Sequence, residues 1–381
     1  MSKIIEAVRR LITPVTPLSP GIFHYQAPPD APAPYRLHLR LEPDGSGLLI
    51  VNASTILHLN QTAAEFAYHL IKQTSEDQMA KEISGRYRVS RELAKQDFRN
   101  MSDRLQTLIH TPDLDPEMFL DFERTAPHAQ KLSAPYRLDC ALTYRLPGGF
   151  DDTLVPTKRV DRELDTQEWC GIFDKAWSLG IPHIILTGGE PTLRDDLPEL
   201  IAHTESNGQV VGLLSDGHKL VDDIYLQSLL QTGLDHLMLS LKPEDEKSWI
   251  ALSNVLNADL FVVVHHTLTL QNTVSTSQTL ERISKLGVKA VSLSASDPAL
   301  HRSLLEYRNQ AAALGLSLVW DLPVPYSAFN PVALETKLDN LPPGAGHAWL
   351  YIEPDGDVLP SQGINQVLGN ILRDPWDKFW R

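Results

Sequence analysis

The chain has 381 residues, is 42% hydrophobic and 22% charged, and carries a formal net charge of −14. That length supports two or three domains with cores of their own, and the acidic balance speaks against a surface for nucleic acid or anionic membrane, which needs clustered Lys and Arg. Two cysteines at no framework spacing, no signal-like start and no long apolar run lead to the expectation of a cytoplasmic protein that does not enter the membrane.

Residues 1–34 open with the amphipathic piece IIEAVRRLI and thin into TPVTPLSP and APPDAPAP. Prolines at that density stop helices and central strands, so a loosely packed arm is expected. Residues 35–110 read as a small α+β domain. Three strand candidates, YRLHLRLE, GLLIVNA and STILHLN, are separated by turn chemistry, and helical patterns follow at 61–73, 75–87 and 90–109. Ser75 and Ser90 precede acidic residues as N-caps, and Ala64, Ala67, Tyr68 and Ile71 give the first helix one apolar face. Strands followed by three helices suggest a winged-helix-like module. Residues 111–134, with TPDLDPE and RTAPHAQ, have the content of a linker.

From residue 135 to residue 341 strand and helix alternate. RLDCALT, HIILT, QVVGLLS, DHLMLSL, DLFVVVHHTL, VKAVSLSA and LSLVWDL are near-continuous apolar runs separated by helical patterns of about a dozen residues. This is an α/β pattern of parallel βα units. A partial or complete βα barrel is the first expectation and a doubly wound open sheet the second. DLPVPYSAFNP reads as a rigid, proline-set connection. Residues 342–381 hold a hairpin signal, WLYIE and DVLP around PDGD, and GNI before DPW suggests a short closing helix.

In a barrel of parallel strands, ligands bind at the C-terminal strand ends. The second strand runs into Gly188, Gly189, Glu190 and Pro191: two glycines that admit close backbone approach, one carboxylate, and a proline that ends the ladder. The third strand ends in Ser215, Asp216 and Gly217, and the fourth in Ser240 and Lys242. The fifth carries His265, His266 and Thr267, and the sixth Ser292 and Ser294. Each has a plain structural alternative: Asp216 as a turn former, Lys242 as a solvated helix start, His265 or His266 as a satisfied core histidine. Their convergence at one rim is the criterion for a pocket.

At IILTGGEPTL the chain resembles the radical S-adenosylmethionine (SAM) superfamily, and the resemblance runs from about Tyr136 to the C-terminus. It implies a partial (β/α) barrel in which Gly188, Gly189, Glu190 and Pro191 meet the amino group of SAM. By the same resemblance Ser215, Asp216, Ser240, Lys242 and Ser294 stand at the cofactor rim, with Ser240 and Lys242 near its ribose and carboxylate. One departure bears on the chemistry: the family's CxxxCxxC positions are Leu146, Phe150 and Thr153 here. Three thiolates hold the family's [4Fe–4S] cluster, and this chain has two cysteines in all, so no cluster is expected.

LNQTAAEFAYHLIKQTSEDQMAKEISGRYRVSRELAKQDF resembles the PqqD family, in which a leader peptide adds as a strand to the small sheet and is gripped by the last helix. The C-terminal piece resembles the SPASM or twitch extension, with Ser361 at the auxiliary-cluster cysteine, and is expected to cap the barrel without metal. Three function classes stay open. The first is a cluster-less partner in peptide modification that binds a precursor peptide, takes SAM as its candidate ligand and works beside a cysteine-intact radical SAM enzyme. The second is an enzyme with unconventional or non-radical chemistry at Glu190, Asp216 and Lys242. The third is a scaffold with an empty barrel.

Overall fold

Apolar side chains recur at every second position through residues 36–59, the period that turns one face of a strand inward. In the computed structural model these runs belong to an antiparallel meander of β1 (Gly21–Gln26), β2 (Arg36–Leu41), β3 (Gly47–Val51) and β4 (Thr55–Leu59). The structure describes residues 15–28, 31, 35–52, 55–111, 132–335 and 341–380, and the chain divides into two units, residues 1–126 and 127–381.

In the first unit the sheet packs on α1 (Gln61–Ile71), α2 (Glu76–Arg86) and α3 (Arg91–His110). Ser75 and Ser90 cap α2 and α3 by accepting from the backbone N–H of Gln78 and Leu93. Leu37, Leu39, Leu49 and Leu57 meet Ala64, Ala67 and Leu105 in one core, where each fully buried leucine contributes roughly 1.5–3 kcal/mol. Part of the expected arm is a strand instead. Between the two proline-rich stretches lies IFHYQ, a run of β-formers, and β1 pairs with β2 while Phe23 packs edge-on against Tyr68. IIEAVRRLI and most of the linker reading, residues 112–131, lie outside the described residues.

The second unit is a ten-stranded sheet. β5 (Arg137–Thr143), β6 (His183–Gly188), β7 (Val210–Ser215), β8 (His236–Ser240), β9 (Phe261–Leu268), β10 (Ala290–Ala295) and β11 (Ser317–Leu318) lie side by side, all parallel. The connections run through α4 (Thr166–Ser178), α5 (Leu197–Asn207), α6 (Asp223–Gln231), α7 (Glu246–Leu256), α8 (Thr276–Lys285) and α9 (His301–Ala313). Among the described residues no pairing joins the two sheet edges, so this is an open arc of βα units. LSLVWDL supplies only a two-residue strand, because the chain turns away at Asp321, which takes the left-handed φ of 64°, and leaves Trp320 half exposed.

The C-terminal segment departs from its expected role as a cap. β12 (Trp349–Ile352) pairs in parallel with β5, and β13 (Asp357–Leu359) and β14 (Gly369–Asn370) continue the same sheet, so the hairpin widens the sheet in its own plane. GNI is a strand, and the expected closing helix is a single 3-10 turn at Trp376–Lys378. No helix among the described residues is long and apolar enough to cross a membrane.

The end of β6 is set by packing. Gly188 has φ +127°, and a Cβ there would lie 2.2 Å from the Thr143 carbonyl oxygen. Gly188→Ala is therefore expected to destabilise the second unit by on the order of 2–4 kcal/mol in urea unfolding of the full chain, and a loss below about 0.5 kcal/mol would show that the turn can shift freely.

Candidate functional site

The turn after β6 is fixed from both sides of the backbone. Gly189 N–H donates to the Thr143 carbonyl at 2.8 Å and Glu190 N–H to the Arg145 carbonyl at 2.9 Å. A Cβ on Gly189 would sit 2.4 Å from that Arg145 oxygen, so only glycine fits. Pro191 begins a buried 3-10 turn, Pro191–Leu193, and does not line the cavity described below.

Glu190 is only 3% exposed, so the carboxylate at the end of β6 is buried. Its Oε1 accepts from Thr192 N–H at 3.0 Å, Thr192 Oγ1 at 2.6 Å and Ser215 Oγ at 2.8 Å, and its Oε2 accepts from Asp216 N–H at 2.7 Å. Burial, with Asp216 beside it, pushes the carboxyl up to about 7. Glu190 thus ties the end of β6 to the end of β7.

Asp216 lies 3.5 Å from Lys242 Nζ and 3.0 Å from His218 Nδ1, and His218 Nε2 reaches Asp245 at 2.6 Å. Sequence reasoning missed His218 and Asp245, whose signal was the Asp-Gly-His turn and the helix-start Asp of α7. Ser240 Oγ is buried and finds no hydrogen-bond partner among the described residues. His265 is a hub: Nδ1 faces Ser292 Oγ at 3.1 Å, and Nε2 faces Thr267 Oγ1 at 3.1 Å and Ser294 Oγ at 3.0 Å. Burial lowers its pKa to about 3, which keeps the ring neutral. Ser292 reaches the site through this ring and Ser294 through it and through Thr267 Oγ1 at 3.1 Å, while His266 bonds Thr276 Oγ1 and does not line the cavity.

Gly189, Glu190, Asp216, Ser240, Lys242 and His265 line one cavity of about 130 Å³ at the strand ends. Its opposite wall is DLPVPYSAFNP, which the sequence reading took for a connection alone: Val324 to Phe329 all border the cavity, and Tyr326 N–H donates to the Gly188 carbonyl at 2.9 Å. The donor set suits a zwitterion and a hydroxyl-bearing group, with Asp216 for an ammonium, Lys242 for a carboxylate and the orphaned Ser240 Oγ for a hydroxyl. The volume is below the roughly 300–1,000 Å³ of ordinary small-molecule sites.

The residues at the cluster positions do not fit an iron–sulfur centre. Leu146 lines the cavity and packs beside Tyr144 and Tyr326, Phe150 is 62% exposed, and Thr153 bonds Asp151 in a local turn. None is a soft donor. Leu146 and Gly149 close the loop with a reciprocal pair of backbone hydrogen bonds. Cys140 is fully buried within β5 and Cys170 half-buried on α4. Among the described residues, no group of three or more His, Cys, Asp or Glu is placed to hold a metal ion.

Beside this loop a buried ionic cluster went unread in the sequence. Arg159 holds Glu335 in a bidentate pair at 2.7 and 2.8 Å and donates through Nε to Glu353 at 2.6 Å. Tyr144 OH donates to Glu353 and Tyr326 OH to Glu335. Burial pushes Glu353 up to about 7 even with Arg159 against it.

The first unit carries a second candidate site. Among the described residues β4 pairs with β3, and a cleft of about 400 Å³ lies between β4 and α3. Leu57, Leu59, Phe66, Met101, Leu105 and Leu108 make its walls, with Asp97 and Arg104 at the rim.

No protein-family model matches the chain. A curated protein named PqqA peptide cyclase from Methylocella silvestris is 37% identical over 120 residues, 31% of this chain and 32% of that protein. One of the same name from Streptomyces rochei is 26% identical over 289 residues, 65% of this chain and 76% of that protein. With the Methylocella relative, and with two of the same name from Granulibacter bethesdensis and Rhizobium meliloti, the match spans about a third of their length. Among solved structures, Streptococcus suis SuiB bound to precursor peptide SuiA superposes with a TM-score of 0.60 at 15% identity, covering 90% of this chain and 87% of that one. At that identity the likeness speaks for the fold.

The Glu190 carboxyl binds its proton more tightly in the folded chain, at about 7, than at its ordinary value of 4.5. Its contribution to stability is therefore fully present below about pH 4.5 and is lost as pH rises through about 7. Glu190→Gln is expected to lower stability by about 1–3 kcal/mol, because a Gln amide presents N–H to donors that need an acceptor. Urea unfolding across this pH window should also show a flatter slope in the variant; parallel profiles would place the proton elsewhere.

Proposed function

We propose that this protein binds a precursor peptide in the cleft between β4 and α3 and takes part in peptide modification without a cluster of its own, beside an enzyme that carries the thiolates. One observation carries the reading: an apolar cleft of about 400 Å³, large enough for several side chains, lies between β4 and α3. An extended peptide would pair its main chain with β4 and place alternate side chains among Leu57, Met101 and Leu108. Each such backbone hydrogen bond contributes about 0.5–1.5 kcal/mol net. The similarity to PqqA peptide cyclases and the SuiB-like fold support peptide modification as the setting.

SAM is the candidate ligand of the barrel mouth. Lys242, Asp216 and Ser240 would hold its carboxylate, ammonium and a ribose hydroxyl. In the enzymes that the chain resembles, bound SAM supplies a radical once a cluster reduces it, and the residues at 146, 150 and 153 do not support that chemistry. A second reading, a scaffold whose barrel takes no ligand, is favoured by the small volume of the mouth.

Two measurements test this. Anaerobic reconstitution with iron and sulfide should leave less than about one iron per chain, and a stoichiometric centre of about four irons would contradict the reading. Peptides selected on the full chain from a displayed library should lose at least about 10-fold in affinity with Met101→Ala or Leu108→Ala, both half-buried in the cleft wall, in variants shown to be folded at the assay temperature by circular dichroism. Unchanged affinity in both variants would remove the cleft as the peptide site.

A further inference from the structure

The segment that walls the barrel mouth is built as a piece with its own shape. Ser327 and Asn330 exchange backbone hydrogen bonds at 3.2 and 3.1 Å, and Asn330 Nδ2 donates back to the Val324 carbonyl at 2.6 Å. These bonds lie inside the segment and survive any movement of it as a body. Pro323, Pro325 and Pro331 hold their φ angles near one value and stiffen it further.

Among the described residues its polar ties to the rest of the unit are few, although Tyr326, 2% exposed, also packs in a core with Ala141, Val155, Tyr351 and Leu359. Tyr326 N–H takes the Gly188 carbonyl at 2.9 Å, Tyr326 OH takes Glu335 at 2.6 Å, and Gln362 Nε2 takes the Val324 carbonyl at 2.6 Å. The Tyr326 ring stands edge-on to Tyr144 at 5.5 Å. At the root, Asp321 holds a left-handed φ of 64°, a conformation that costs a non-glycine residue energy, and its carbonyl accepts from the Arg137 guanidinium at 2.5 Å. The cavity beneath, about 130 Å³, carries the unpartnered Ser240 Oγ and the Asp216–Lys242 pair, polar groups with too little room for a nucleoside.

We propose that residues 323–331 form a displaceable strap over the barrel mouth, so that a SAM-sized ligand reaches Asp216, Ser240 and Lys242 only after Tyr326 leaves the Gly188 carbonyl. The strap covers the very backbone group that the GGEP turn would turn toward a ligand, and it does so with a hydrogen bond that a ligand ammonium can replace. Admission of SAM rests on the reading of the mouth given above; the strap as a separately opening unit does not.

Amide hydrogen exchange on the full, ligand-free chain reads the strap directly. Tyr326→Phe keeps the ring and removes the bond to Glu335, and Gln362→Ala removes a tie outside the tyrosine cluster. In either variant, amides of residues 324–330 should exchange at least about 10-fold faster while those of β5 to β9 stay unchanged. Calorimetry should then show S-adenosylhomocysteine and SAM binding at least about 10-fold more tightly than to the wild type. Strap amides that exchange in step with the barrel strands would overturn the proposal, as would equal affinity in wild type and variants that all bind. Local release with no binding by any of these proteins would support the strap and remove SAM as the ligand of the mouth.

Discussion

One carboxylate, buried and surrounded by four hydrogen-bond donors, organises the strand-end cavity of the open βα arc. Glu190 takes both donors of Thr192, the hydroxyl of Ser215 and the amide of Asp216, so the turn after β6 and the end of β7 share one anchor. The anchor works only because Gly188 and Gly189 let β6 end directly under the carbonyls of Thr143 and Arg145. Asp216 is positioned by this anchor, and Asp216 in turn positions Lys242 and His218. Glu190 thus acts as a structural brace at the end of β6.

That loop shows the complementary case. Leu146 contributes apolar contact, and the nearby space is crossed by the Arg159 cluster linking Glu335, Glu353, Tyr144 and Tyr326. Buried ion pairs add little net stability against well-packed apolar groups, but they specify geometry, because losing one partner strands a charge. Here the geometry they specify is the seating of Tyr326 over the strand ends. The first unit carries a separate leucine-lined cleft between β4 and α3.

Much of this was legible in the sequence, for reasons tied to particular residues. RLDCALT and HIILT are continuous apolar runs, the signature of strands covered on both faces, and they form β5 and β6 nearly to the residue. Ser75 and Ser90 cap the helices they announce. The convergence of Glu190, Asp216, Ser240, Lys242 and His265 followed from strand-end position alone. The misses share a cause, which is that they depend on contacts distant in sequence. β1 is a strand because β2 offers an edge to IFHYQ, a run of β-formers too short to stand out between two proline-rich stretches. Residues 349–352 extend the sheet because β5 has a free side, and Val324 to Phe329 wall the cavity because Glu335 and Gln362 hold them there. The burial of Glu190 was hidden for the same reason: a rim position predicts exposure until Ser215 and Asp216 close around it.

The most direct test of the account is where a bound peptide leaves its mark on the backbone. Amide exchange of the full chain, with and without a peptide selected on it, should slow along Thr55–Leu59 and along the face of α3 that carries Met101 and Leu108, as main-chain pairing at a sheet edge requires. Protection confined to the strand ends of the barrel, with β4 exchanging as before, would contradict it.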